Sequence, residues 1–123
     1  MIKVMTLADG ETVPLDSGRG VKIRLVDGRL GTNAIDLHHN TLFPGGPSGR
    51  YHCHSKADNV YIVTAGVGQL VADGVTYSVT KGQIVFIPAG VPHSLSNPGD
   101  EPFGIFEIYA PAGPDFDFTV VDE

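Results

Sequence analysis

Two histidines separated by one residue, His52 and His54, have the types and spacing that suit metal chemistry. Side chains of a β-strand alternate between its two faces, so residues i and i+2 share a face. If this segment is a strand, both imidazoles approach one point and can chelate a single ion. For an isolated pair, the alternative is two polar side chains on a solvated strand face.

A third histidine, His93, follows a strand-like run and a turn rich in proline and glycine. Residues 82–97 resemble the second motif of the cupin superfamily, G(x)5PxG(x)2H(x)3N. All five of its fixed positions are filled, by Gly82, Pro88, Gly90, His93 and Asn97.

The first cupin motif, G(x)5HxH(x)3–4E(x)6G, is similar to residues 46–66, with both histidines in place. The glutamate of the motif is missing. A spacing of four residues after His54 leads to Asn59, and a spacing of three leads to Asp58. Alternation places Asn59 on one face with Tyr61 and Val63, and this favours Asn59 over Asp58.

The resemblance covers about residues 35–110 and implies an all-β fold, the cupin jelly-roll barrel or double-stranded β-helix of two antiparallel sheets. It also implies one divalent transition metal, held by His52, His54, His93 and Asn59, with Asp58 as the alternative fourth ligand. Three imidazoles suit Zn, Fe, Ni or Cu, and Mn is a further candidate. A neutral amide in place of a carboxylate predicts weaker binding. The alternative is a cupin that has lost its metal and keeps the histidines to line a polar pocket.

The length of 123 residues predicts a single domain, with the barrel at about 20–110 and extensions at 1–18 and 111–123. With 16 glycines and 9 prolines, long helices are not expected. Turn-forming pairs separate short runs rich in β-branched and aromatic residues, which predicts a sandwich or barrel. Asp73-Gly74 is the clearest hairpin signal.

The formal net charge of −6 argues against nucleic acid and anionic membranes as partners. Cys53 is the single cysteine and cannot close a disulfide within the chain. No signal-peptide pattern or membrane-spanning apolar run is recognisable. We therefore expect a cytoplasmic protein.

Alternation also suggests that His39 points into the barrel as an acid or base beside the metal, while His38 faces outward. A histidine that merely packs in the core is the alternative for His39. Tyr61 is a second catalytic candidate, or a packing residue. The orientation of Glu107 is undecided. Three apolar residues are expected in the pocket wall or the core: Phe86, Phe106 and Ile108.

These features favour a metal-binding cupin that acts on a small organic molecule by oxygenase, isomerase, lyase or cyclase chemistry. The alternative is a non-enzymatic metabolite-binding or sensor cupin with weak or absent metal, and a structural role is a third possibility. A homodimer is expected, because apolar residues of the acidic tail need cover and a strand added to a partner would provide it.

Overall fold

Two antiparallel β-sheets form the protein in a computed structural model that describes residues 1–122. Residue 123, the last of the predicted tail extension, lies outside the described residues. The larger sheet contains β1 (Glu11–Pro14), β2 (Gly20–Val26), β3 (Asp36–Leu42), β5 (Asp58–Ala65), β8 (Ile84–Ile87) and β10 (Phe103–Ala110). The smaller sheet contains β4 (His52–Cys53), β6 (Val67–Ala72), β7 (Val75–Thr80), β9 (His93–Ser96) and β11 (Thr119–Val120).

Strand order explains how distant parts of the chain meet. The larger sheet runs β1-β2-β3-β10-β5-β8 and the smaller sheet β11-β4-β9-β6-β7. The three helical segments described are single 3-10 turns, at Leu7–Asp9, Asp16–Gly18 and Gly28–Leu30. The predicted all-β architecture of two antiparallel sheets is therefore confirmed.

The hairpin between β6 and β7 forms at the predicted Asp73-Gly74 pair. Both residues have positive φ, 49° and 74°, which is the left-handed region that a two-residue hairpin turn requires. The turn sets the register in which Ala72 faces Val75 and Leu70 faces Tyr77. Leu70 therefore points into the space between the sheets.

The hydrophobic core lies between the two sheets. Phe103 and Ile105 of β10 are completely buried at its centre. They pack with residues from several strands, namely Leu42, Tyr61, Val63, Leu70, Val79, Ile87 and Leu95. Because alternate residues of β10 face inward, Glu107 and Tyr109 continue the inner face, whereas Phe106 and Ile108 lie on the outer face. The expectation that Phe106 and Ile108 belong to the pocket wall or core is wrong for this reason.

Strands near both ends of the described chain pair with the barrel, whereas Met1, Ile2 and Val4 ahead of them are exposed. Near the N-terminus, β1 pairs with β2, and near the C-terminus β11 pairs with β4 in the register Thr119 with Cys53 and Val120 with His52. The tail therefore adds its strand to its own barrel, and needs no partner subunit to do so.

Within residues 1–122, no helix has the length and apolar character needed to cross a membrane.

Candidate metal centre

Three histidines from two distant motifs meet inside the barrel. His52 lies in β4 directly opposite His93 in β9, and His54 follows immediately after β4. One ring nitrogen from each of the three lies within 4.8 Å of the others. Antiparallel pairing of β4 with β9 therefore produces the convergence that the spacing of the two motifs predicts.

Each of these imidazoles is fixed by a backbone carbonyl. The Nδ1 atoms of His52, His54 and His93 lie 2.7, 2.8 and 2.9 Å from the carbonyl oxygens of Arg50, Asp117 and Val91. A carbonyl oxygen only accepts, so each Nδ1 carries the hydrogen and each Nε2 presents its lone pair.

The free nitrogens have the environment expected of metal ligands. The Nε2 atoms of His54 and His93 are buried, and neither has a hydrogen-bond partner in the part of the chain that the structure describes. A buried acceptor without a partner costs free energy unless something else satisfies it. An ion held between the three nitrogens would satisfy both at once.

Burial also keeps two of the rings neutral. Desolvation, together with the neighbouring His93 and His54, lowers the pKa of His52 to about 4 despite the raising effect of the Arg50 carbonyl. Burial likewise lowers the pKa of His93. Neutral imidazole is the form that binds a metal, so these sites are ready for an ion at neutral pH.

Asn59 is buried on β5 opposite Tyr109, with its amide orientation fixed. The residue is 1% exposed, and its Nδ2 donates to Oε2 of Glu107 at 3.0 Å. A carboxylate only accepts, so the amide nitrogen must face Glu107 and the oxygen must face away. Among residues 1–122, that buried Oδ1 has no partner. Asn59 therefore offers an oxygen donor.

Asp58, the alternative ligand, has a structural contact instead. Its side chain is exposed, and its Oδ1 accepts a hydrogen bond from the backbone of Ala89 at 3.0 Å. Gly90, next in the same turn, donates its backbone N–H to the His54 carbonyl at 2.8 Å. These two bonds dock the Pro/Gly turn of the second motif onto the first motif, and this helps to position His93.

Behind Asn59 lies a buried charged network centred on Glu107. Its Oε1 accepts from His38 Nε2 at 2.8 Å and from Asn40 Nδ2 at 2.9 Å. His38 Nδ1 contacts Asp36 Oδ1 at 2.9 Å. Because both partners of His38 are carboxylates, both ring nitrogens must carry hydrogens, which makes His38 an imidazolium.

The pKa values agree with this charge assignment. Burial by itself would raise the pKa of Glu107, but the hydrogen bond and charge of His38 and the Asn59 amide lower it to about 2. Burial would lower the pKa of His38, yet the bonds to Asp36 and Glu107 outweigh it and raise that pKa. The pair is therefore charged at neutral pH.

The predicted orientations of His38 and His39 are reversed in the structure. His38 is opposite Glu107 on the inner face, and His39 is opposite Phe106 on the outer face. The ring of His39 packs edge-on against Phe106 at 4.9 Å, and its Nε2 contacts Thr64 Oγ1 at 3.0 Å. The expectation of His39 as an acid or base beside the metal is therefore wrong, because alternation turns it away from the cluster.

Two tyrosines lie on the inner face. Tyr61 is in the hydrophobic core, with its ring 6.4 Å from that of His93, and burial raises its pKa. Tyr109, which sequence reasoning missed, has its ring 4.7 Å from His54 and 5.3 Å from His38. Tyr109 lies two residues after Glu107 in the same strand, so alternation would have predicted that both side chains share a face.

The C-terminal tail covers the cluster. Phe118 stacks on His52 with ring centroids 3.9 Å apart, and Phe116 stacks on His54 at 4.8 Å. The carboxylate of Asp117 accepts hydrogen bonds from the backbone and hydroxyl of Ser55 at 2.9 and 2.7 Å. The tail thus holds one ligand through the Asp117 carbonyl and shields two ligands with aromatic rings.

This donor set fits a divalent transition metal. Three imidazoles and one amide oxygen, all oriented by hydrogen bonds to other groups, match the ligands that zinc, iron, nickel and copper accept. The buried Glu107 carboxylate places negative charge behind the amide, as partners of metal ligands commonly do.

The family comparison agrees with the geometry. The family model described as Cupin domain matches residues 38–109. Mannose-1-phosphate guanylyltransferase from Klebsiella pneumoniae is 35% identical over 77 residues, which are 63% of this chain and 16% of that protein. The chain therefore corresponds to only a small part of that relative's length.

Solved structures share the fold over nearly the whole chain. The polyketide cyclase RemF from Streptomyces resistomycificus superposes with a TM-score of 0.84 at 22% identity, covering 100% of this chain and 87% of that one. The sugar phosphate isomerase SPO2919 from Silicibacter pomeroyi gives a TM-score of 0.78 at 20% identity, covering 96% and 92%. At these identities the likeness concerns the fold.

Proposed function

Since the chain belongs to the Cupin domain family, we propose that it binds one divalent transition metal inside the barrel and acts on a small organic molecule there. The observation that carries the proposal is the convergence of three Nε2 lone pairs, each oriented by a carbonyl on the opposite ring nitrogen. His52, His54 and His93 are the proposed nitrogen ligands, and Asn59 Oδ1 is the proposed oxygen ligand. When bound, the metal supplies a Lewis acid or an oxygen-activating centre.

The remaining inner residues have supporting roles in this proposal. Glu107 holds the Asn59 amide, and His38 with Asp36 balances the buried charge of Glu107. Burial keeps the phenol of Tyr61 protonated at neutral pH, so we assign Tyr61 to packing rather than to proton transfer. The tail excludes water from the histidines on its side of the barrel.

The metal proposal is tested by titrating Zn²⁺ into chelator-treated protein in a calorimeter. We expect one equivalent to bind, and His93→Ala to weaken binding by about 100-fold or more because a ligand is lost. His39→Gln is the matched control, since it changes a histidine on the outer face and should leave zinc affinity unchanged. Equal loss of affinity in both variants, or no binding by the unsubstituted protein, would contradict the proposal.

A non-enzymatic metabolite-binding or sensor role is the second candidate. It is favoured by Asn59 itself, because a neutral amide binds a divalent ion less tightly than the carboxylate of the family motif. The enzymatic and non-enzymatic roles predict different effects of Asn59→Glu. That variant should change metal content and turnover together in an enzyme, and only metal content in a binding protein.

We further propose that two copies associate through the outer face of the larger sheet. Ile62, Ile84 and Phe86 lie there on adjacent strands and are 36%, 70% and 61% exposed. Exposed apolar groups in one patch are typical of protein interfaces. Sedimentation equilibrium should show a dimer that Ile62→Lys weakens, and a monomer at all concentrations would overturn this assignment.

A further inference from the structure

A cavity of about 650 Å³ opens between β7 and β8. These strands are the last in their respective sheets and are consecutive in the chain, so no ladder joins them at this edge of the barrel. Tyr77 shows that the two sheets separate here. It faces inward opposite the buried Leu70, yet it is 49% exposed. The cavity volume is in the range of small-molecule sites.

The inner end of this cavity adjoins the proposed ligands. Ala72 lines it and lies directly opposite His93 in the β6–β9 pair. Ile87 also lines it and lies opposite Asn59 in the β5–β8 pair. Paired residues in adjacent strands share a face, so these two apolar side chains stand beside the ligand side chains. A molecule in the cavity therefore has its inner end next to the histidines.

The chemistry of the lining is apolar. Aliphatic and aromatic side chains such as Leu70, Val79, Val85 and Ile87 form most of it, and Asp73 is the single charged residue among those that line it. None of the lining residues in the described chain is Lys, Arg or His. Phosphate groups are held in proteins by such cations or by helix N-termini, and the one carboxylate repels them.

We infer that this cavity binds an uncharged apolar molecule, and not a phosphorylated sugar. The molecule lies with its hydrocarbon part against Ala72, Val79 and Ile87 and with a polar atom toward the histidines. This inference names the substrate class of the proposed function. It rests on the proposed function only for the metal bound at the histidines.

The test is a calorimetric titration with 2-naphthol as the probe and glucose 6-phosphate as the comparison, each on chelator-treated and on zinc-loaded protein. We expect 2-naphthol to bind both forms with a dissociation constant below about 1 mM, and the phosphate to bind neither form measurably. Binding of 2-naphthol by the chelator-treated form tests the cavity independently of the metal. If zinc binding fails while 2-naphthol still binds, the metal proposal falls and the cavity assignment stands.

Variants on β7 locate the binding. Tyr77→Arg places a cation at the inward-facing mouth and should weaken 2-naphthol binding at least about tenfold. Thr76→Arg is the matched control, because Thr76 is its exposed neighbour on the opposite strand face and does not line the cavity. The inference is overturned if the two variants behave alike or if glucose 6-phosphate binds more tightly than 2-naphthol.

Discussion

The amide of Asn59 donates to the Glu107 carboxylate at 3.0 Å, and this contact turns the Asn59 oxygen away from Glu107. The family motif has a glutamate at this position. Here the carboxylate is instead supplied from β10, behind the amide. The negative charge of Glu107 lies near enough to the cluster to act on the pKa of His52 and His93, which it raises against the effect of burial.

The first prediction concerns Glu107→Gln. Glutamine has one acceptor oxygen where the carboxylate has two, so it cannot accept from the Asn59 amide and from His38 at the same time. We expect zinc affinity to fall about 10- to 100-fold, as for other partners of metal ligands. Calorimetry measures it, with the exposed Glu101→Gln as the control. Unchanged affinity in Glu107→Gln would show that the Asn59 orientation has no bearing on the metal.

The second prediction concerns the fourth ligand. Asn59→Leu removes the oxygen donor and should weaken metal binding at least about tenfold. Asp58→Asn should have no such effect, because the Asp58 carboxylate contacts the Ala89 backbone. The comparison uses metal content after dialysis against a weak chelator. A larger loss in Asp58→Asn than in Asn59→Leu would reverse the ligand assignment.

The third prediction concerns the aromatic cover. Phe118→Ala removes the ring stacked on His52, so the bound metal should dissociate faster, by about tenfold, when a chelator is added in excess. Val67→Ala is the control, since Val67 is 48% exposed against 52% for Phe118 and lies in β6 opposite Thr80 rather than opposite a ligand. Identical dissociation rates for the two variants would mean that Phe118 does not restrict access.

The fourth prediction is a pH dependence of stability in the metal-free protein. The folded-state pKa of Glu107 is lowered from 4.5 to about 2, so its contribution is present above pH 4.5 and is lost as pH falls toward 2. One such group changes the free energy of unfolding by up to about 1.4 kcal/mol per pH unit in that interval. The free energy of unfolding, measured with denaturant at several pH values, should fall less steeply between pH 4.5 and 2 in Glu107→Gln than in Glu101→Gln. The same pH dependence in both variants would contradict the assignment.

The fifth prediction separates structure from chemistry in the second motif. Asn97 is 2% exposed, and its Nδ2 donates to the carbonyls of Leu42 and Glu101 at 3.0 and 2.7 Å. Asn97→Ala leaves these buried carbonyls without that donor and should lower the free energy of unfolding by about 1–3 kcal/mol. Zinc affinity of the folded variant should be unchanged, and a selective loss of affinity would contradict a purely structural role.

The resemblance to the two cupin motifs implied the fold and the three converging histidines, and strand alternation favoured Asn59 over Asp58 as the inward-facing residue. Strand alternation assigns the two faces of a strand only when one of its residues is already known to face inward. In β5 the motif position at Asn59 supplied that residue, and Tyr61 and Val63 share its face. For β3 no such residue was available, and the apolar Ile35 and Leu37 suggested the wrong inner face.

The reversed orientation in β3 has a physical explanation. Its inner face carries Asp36, His38 and Asn40, which are polar side chains that sequence patterns assign to solvent. His38 is buried and Asp36 and Asn40 are half-buried, and Glu107 on the adjacent strand accepts hydrogen bonds from His38 and Asn40. Such a network depends on which strands become neighbours, and sequence periodicity alone does not determine that.

The position of the C-terminal tail also depends on which strands become neighbours. Its apolar residues were correctly recognised as needing cover, but the position of Phe116 and Phe118 against His54 and His52 depends on the pairing of β11 with β4. That contact joins residues more than sixty positions apart. No local sequence signal specifies it.

X-ray absorption fine structure of the zinc-loaded protein tests the central claim most directly, because it counts imidazole ligands at the metal. The account predicts three imidazoles and at least one oxygen donor, with one imidazole fewer in His93→Ala and no change in His39→Gln. A zinc shell with fewer than three imidazoles in the unsubstituted protein, or one that His93→Ala leaves unaltered, would contradict it.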